Sequence, residues 1–238
     1  DEMGVQEYVG TGPFKFVEWS QDQHIHMTKF EDYQPVDMEP NGFAGKKEAL
    51  VDDIYFELVL DASTRLAGIT TGQYDAAYAL SNDDYNQLSA DENINTYEAP
   101  SGNSYLIFNK KEPSKFTDPK MRQAVNAALD IDEIMLGGFA NEALFDIDHG
   151  LMTKHAKTWY SESGIEQVNQ KDPERVKQLL EEAGYDGEEV VLLTDRTHPT
   201  IYGMAVVIQE QMAEIGIPVT LETYDWATVS QRRTEPEN

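Results

Sequence analysis

The chain has 238 residues, 18 basic and 44 acidic, for a formal net charge of −26. A field of that sign repels nucleic acid and anionic membrane and suits neutral or cationic small molecules. There is no cysteine, hence no disulfide, thiolate nucleophile or zinc–sulfur site, and no apolar run near the roughly 20 residues of a membrane helix.

The length accommodates one large domain or two modest ones. Gly10-Thr11-Gly12-Pro13 is a turn, and Phe14 to Trp19 alternates as a half-buried strand does. Gln23 to Phe30 alternates again, as the antiparallel partner would. Residues 34–50 are loop-like, with Pro35, Pro40, Gly42 and Gly45, and Val51 to Leu60 returns to strand. Asp61 or Ser63 then caps a helix from Thr64 to Thr70 that stops at Gly72. Tyr74 to Tyr78 reads as a short strand, Ser81 to Ser89 as a capped helix and Ile94 to Ala99 as an edge strand.

Pro100-Ser101-Gly102-Asn103 is the best boundary candidate, giving units 1–102 and 103–238. Tyr105 to Phe108 puts apolar groups on both faces, the pattern of a strand buried on both sides. Asp118 as cap and Pro119 at the first position start a helix carrying Met121, Val125 and Leu129 on one side. Ile131 to Phe139 is a second helix, capped by Asp130 or Asp132 and closed by Gly137-Gly138. Residues 140–164 read as loop anchored by Trp159 and Tyr160. Asp172-Pro173 starts a helix that Gly184 stops, followed by a buried strand at Val190 to Leu193. A long helix from Pro199 to Ile215 and a strand from Val219 to Tyr224 complete a strand–helix–strand unit with parallel pairing.

Chemistry-bearing patterns are few. His24 and His26 share a strand face, but two imidazoles without carboxylate partners fall short of a metal site. Asp146-x-Asp148-x-Gly150 lacks the later ligands of a calcium loop, and residues 42–47 lack the first glycine and the Ser or Thr of a phosphate loop. His149, His155 and His198 stand in loops without a nucleophile elbow or a zincin helix. No metal, cofactor or catalytic residue is assigned. Arg122 reads as a structural ion-pair partner, and Trp19, Trp159 and Trp226 as core or cover.

Three ordered blocks carry a resemblance. They are GTGPFKFVEW with HIHMTKFEDY; YLIFNKKEPSKFTDPKMRQAVNAALDID; and LLEEAGYDG with QMAEIGIPVTLETYDW. Together they resemble the extracellular solute-binding proteins of family 5, which serve ABC transporters in peptide and nickel uptake. The resemblance implies an α/β, periplasmic-binding-protein-like fold of two lobes, with mixed sheets and βαβ units, closing on a ligand about crossing strands. Residues 1–102 would be part of the first lobe and 103–238 most of the second, truncated. The family's N-terminal segments and its Trp-x-x-Asp-Tyr motif, whose aspartate pairs with a peptide's amino group, have no counterpart here. The opening DEMGVQEYVG and the ending SQRRTEPEN therefore read as cuts through a longer protein.

Carried onto this chain, the resemblance places Tyr78, Asn103, Ser104 and Tyr105 in the ligand cleft, with Asn109 as a structural tie. It implies a non-catalytic, monomeric, extracytoplasmic protein, periplasmic or lipid-anchored. Its partners would be a small peptide or similar solute and a membrane permease. The alternatives are an α/β hydrolase or transferase using cleft carboxylates, and a signalling or chaperone-like peptide receptor.

Overall fold

The computed structural model describes residues 8–41, 43–98, 102–148, 150, 152–154 and 156–234. Gly42, Ala99, Pro100, Ser101, His149 and His155 lie outside the described residues. Two compact units divide at Leu80/Ser81.

The first unit holds an antiparallel sheet of β1 (Phe14–Ser20), β2 (His24–Lys29) and β3 (Asp53–Glu57), in that order. The hairpin follows the predicted alternation, with a bulge between Phe16 and Glu18. Cross-strand pairing aligns Trp19, Ile25 and Phe56 in one row and Glu18, His26 and Tyr55 in the next, and adjacent rows face opposite sides. Helix α1 (Ala62–Thr70) starts two residues earlier than predicted, where Asp61 Oδ1 accepts from the Thr64 amide at 2.7 Å and the Thr64 hydroxyl at 2.8 Å. Gly72 takes φ +73 behind it, as the stop requires.

Tyr74 to Tyr78 is not a strand. The amides of Gln73 and Tyr74 both donate to Gly68 O, so the chain folds back on α1 instead of entering a ladder. The Tyr74 ring lies where a side chain on Gly68 would have to go.

In the second unit a 3-10 turn (Asn82–Asp84) leads into α2 (Tyr85–Ser89), as the capped segment predicted. Ile94 to Glu98 and Tyr105 to Phe108 form no strand. Leu106 and Phe108 pack on the core while Tyr105 and Ile107 are 59% and 72% exposed, so only one face of this segment is covered. Without a ladder partner among the described residues, its strand pattern has nothing to pair with.

Helices α3 (Pro119–Ala128), α4 (Ile131–Phe139) and α5 (Pro173–Glu182) begin where their caps predicted. Asp118, Asp130 and Asp172 each accept an amide of the first turn. The Gly137-Gly138 pair does not close α4; Ala140 does, at φ +60. The glycines lie inside the helix, where a Cβ on Gly138 would sit 2.6 Å from Met204 Cγ and 2.9 Å from Thr200 O. They admit α6 (Pro199–Glu214) to backbone distance, and Gly203 answers from its side, since a Cβ there would fall on the Gly137 carbonyl.

Strands β4 (Val190–Asp195) and β5 (Val219–Tyr224) pair in parallel across α6, as predicted. Val191 is 54% exposed while the consecutive Thr194 and Asp195 are buried, so β4 is covered on both faces only at its carboxyl end. The core gathers Met121, Val125, Leu129, Ile134, Met204, Met212, Ile217 and Val219. Within it Gln211 is 8% exposed, accepting from the Asp130 amide at 2.9 Å and donating to Glu133 at 2.9 Å. A short α7 (Trp226–Arg232), capped by Asp225, ends the described chain. Of the core-or-cover tryptophans, Trp19, Trp159 and Trp226 are 64%, 73% and 43% exposed, so none is a core residue, and Trp226 packs edge-to-face with the His198 ring at 5.5 Å.

Candidate functional site

The residues expected to touch ligand fall in both units. In the first, Tyr78 is 85% exposed and precedes Ala79, which holds φ +54. That conformation is uncommon for a residue with a Cβ.

In the second unit the segment after Gly102 brings the other three side by side. Asn103 Nδ2 donates to the Tyr105 hydroxyl at 2.8 Å, with the exposed Ser104 between them. The segment runs on as Leu106 and Phe108 inward, Tyr105 and Ile107 outward. A cavity of about 400 Å³ follows it, lined by Tyr105, Leu106, Ile107, Phe108, Lys110 and Arg122. Asn109 Oδ1 accepts from the Lys111 amide at 3.0 Å and turns the chain at the segment's end. Arg122 is tied from below: its Nη1 donates to Phe116 O at 2.6 Å and Thr117 O at 3.1 Å, so it caps carbonyls, where an ion pair was expected. The cavity thus combines apolar walls with two cationic side chains in a strongly acidic chain. Leu106, Ile107, Phe108 and Lys110 were not expected as lining, because an apolar run on both faces of a strand reads as burial on both sides, whereas Tyr105 and Ile107 face outward.

The histidine pair of β2 differs from expectation. His26 Nε2 lies 2.8 Å from Asp53 and His24 Nε2 3.3 Å from Glu18, and Tyr55 stacks on His26 at 4.2 Å. Each imidazole therefore has a carboxylate from a neighbouring strand, invisible in a pattern read along one strand. Among the described residues no three or more His, Asp or Glu side chains gather as a metal site would need. Asp148, in the Asp-x-Asp-x-Gly pattern, accepts from the Gly150 and Lys154 amides in a local turn.

A second feature missed in the sequence lies at the carboxyl end of β4. Asp195 is fully buried and accepts from the Thr197 amide and hydroxyl, both at 2.6 Å, and from His198 Nδ1. Burial pushes its carboxyl up, but the Thr197 and His198 donors outweigh burial and hold it below the ordinary aspartate value. The signal was Asp195-x-Thr197-His198-Pro199: an acid two residues before a turn donor, and a proline that starts the helix.

No helix among the described residues is long and apolar enough to cross a membrane.

Comparison with known proteins places these features in context. The family model described as bacterial extracellular solute-binding proteins, family 5 Middle, matches residues 2–237. The glutathione-binding protein GsiB of Pectobacterium atrosepticum is 28% identical over 96% of this chain and 41% of its own length. The heme-binding protein A of Haemophilus influenzae is 31% identical over 96% of this chain and 40% of its own. Among solved structures, the periplasmic binding protein DppA of Helicobacter pylori, in complex with peptide STSA, superposes with TM-score 0.71 at 27% identity. That match covers 94% of this chain and 40% of DppA. The chain spans about two fifths of the length of these relatives.

Proposed function

The chain belongs to family 5 of the bacterial extracellular solute-binding proteins, and on that premise we propose that it captures a peptide or similar small solute for an ABC importer. It acts as part of a complete two-lobed protein that closes on the solute and delivers it to a membrane permease. Residues 1–102 contribute to the first lobe and 103–238 to the second. The protein works as a monomer outside the cytoplasmic membrane, free in the periplasm or held by a lipid anchor.

The observation that carries this reading is the family match over residues 2–237. A hydrolase or transferase has no support in that family, whose members among the relatives here are named for binding. Peptides come first among solutes for two reasons. Relatives include a glutathione-binding protein and a peptide complex. The surface beside Tyr105 also offers apolar walls for side chains and the Lys110 cation for a carboxylate. Tyr78, Asn103, Ser104 and Tyr105 are the contact residues in this reading.

The test is thermal unfolding of the complete protein with and without glutathione and a mixed di- to pentapeptide library. A ligand bound only by the native state adds about 2.7 kcal/mol at a hundredfold excess over its dissociation constant, which raises the midpoint. Changing Tyr105→Ala should abolish most of that shift. An unshifted midpoint with every peptide sinks the peptide assignment.

A further inference from the structure

Arg65, on α1, takes no part in any feature above, yet it holds three backbone carbonyls at once. Nη1 donates to Val59 O at 2.7 Å and Leu60 O at 2.9 Å, and Nη2 donates to Ala79 O at 2.7 Å. None of these carbonyls accepts a backbone amide among the described residues. The first two lie where the chain enters α1, the third where it has returned along the helix. The return is pinned at two places: at Gly68, whose carbonyl takes the Gln73 and Tyr74 amides, and one turn earlier at Arg65. Asp75 to Tyr78 span the interval, and Tyr78 projects from its end, 85% exposed, beside the left-handed Ala79.

Two observations set this arginine apart from an ordinary loop staple. Its Nε is buried without an acceptor among the described residues, a cost that a lysine would not carry. The guanidinium sets its donors on two nitrogens in a rigid planar fork, one nitrogen to each segment, whereas an ammonium offers all three donors from one nitrogen. Ala79 in turn holds an uncommon backbone conformation, φ +54, which its surroundings must stabilise, and the Nη2 bond reaches its own carbonyl.

We propose that Arg65 is a positioning residue for solute capture: it fixes the backbone at Ala79 and thereby the direction in which Tyr78 is presented. The inference rests on Tyr78 being a contact residue, as read above. Arg65 touches no solute and acts through that tyrosine.

The experiment uses the complete protein that carries these residues, with Arg65→Lys, Arg65→Gln, Tyr78→Ala and the Arg65→Lys/Tyr78→Ala pair. Amide 15N relaxation without ligand is read first. Order parameters at Tyr78, Ala79 and Leu80 should fall in Arg65→Lys from the rigid range of about 0.85 toward the flexible range below about 0.6, while those of the β1–β3 sheet are kept. Unchanged order parameters there overturn the proposal whatever binds. Calorimetric titration with glutathione and the peptide library follows. Arg65→Lys should weaken binding by about tenfold, and adding Tyr78→Ala should weaken it little further, because the two substitutions remove one interaction. Additive losses would make Arg65 merely structural and overturn the inference. If Tyr78→Ala alone leaves affinity intact while Arg65→Lys lowers it, both the Tyr78 assignment and the positioning role fall. If Tyr78→Ala lowers affinity and Arg65→Lys does not, only the positioning role falls. Should Arg65→Gln fail to fold, Arg65→Lys, which keeps the charge and one bond, still decides.

Discussion

At the scale of single residues, Asp195 is the polar group on which most depends. A carboxylate removed from water is tolerable only while its donors remain, and here Thr197 and His198 supply them. Replacing Asp195→Asn keeps the shape and loses the charge-assisted bonds, at a cost of about 2 kcal/mol in urea unfolding. The pH dependence has a definite sign. The folded pKa is lowered, so the stabilisation is complete above the unfolded value of about 3.9 and drains away as pH falls through the folded one. Unfolding followed from pH 6 downward should therefore show a shallower acid limb in Asp195→Asn than in the parent protein. An identical limb would assign the acid sensitivity to other carboxylates. This residue was hidden in the sequence among 44 acids, because burial is a property of the folded surroundings.

Among elements, local chemistry was legible, and pairing was legible only where the partner is the next strand along the chain. Caps at Asp61, Asp118, Asp130 and Asp172 mark their helices because the side chain and the amide it satisfies are two or three residues apart. Strands at Tyr74 to Tyr78 and Tyr105 to Phe108 were read from the same kind of local pattern and do not form, since a ladder needs a partner that no single segment encodes. The glycines of α4 were misjudged for a related reason. Gly137-Gly138 looks like a helix stop in one dimension, whereas in three it is a point of contact with α6. Introducing Ala at Gly203 forces a carbon onto the Gly137 carbonyl. It should cost about 1–3 kcal/mol by overpacking, visible as a lowered thermal midpoint. Gly72→Ala, at φ +73 with open space around it, should cost only the backbone strain of about 1–2 kcal/mol. Equal midpoints for Gly203→Ala and the parent would mean that the helices separate freely.

For the whole molecule, the net charge of −26 sets the response to salt. Self-repulsion among exposed carboxylates opposes the compact state, and the ion pairs among the described residues are mostly at the surface, where each contributes little. Sodium chloride at about 1 M shortens the screening length to about 3 Å, from about 10 Å at 0.1 M. The thermal midpoint should rise across that range. A fall would show that attractive pairs outweigh the repulsion. The candidate contacts were legible only in part at this scale. Asn103, Ser104 and Tyr105 follow one another in sequence and stay together in the fold, whereas the cavity wall contributed by Arg122 comes from α3.

The meeting of α4 and α6 through backbone atoms also bears on how such a protein can be altered. Side chains can exchange one shape for another, but a carbonyl oxygen has no alternative position, so the spacing of these two helices acts as a fixed dimension of the unit. Laboratory evolution that randomises the exposed residues around Tyr105 can then explore new solutes while the frame behind them holds its measure. Libraries that include Gly137, Gly138 or Gly203 would spend their diversity on chains whose frame has changed.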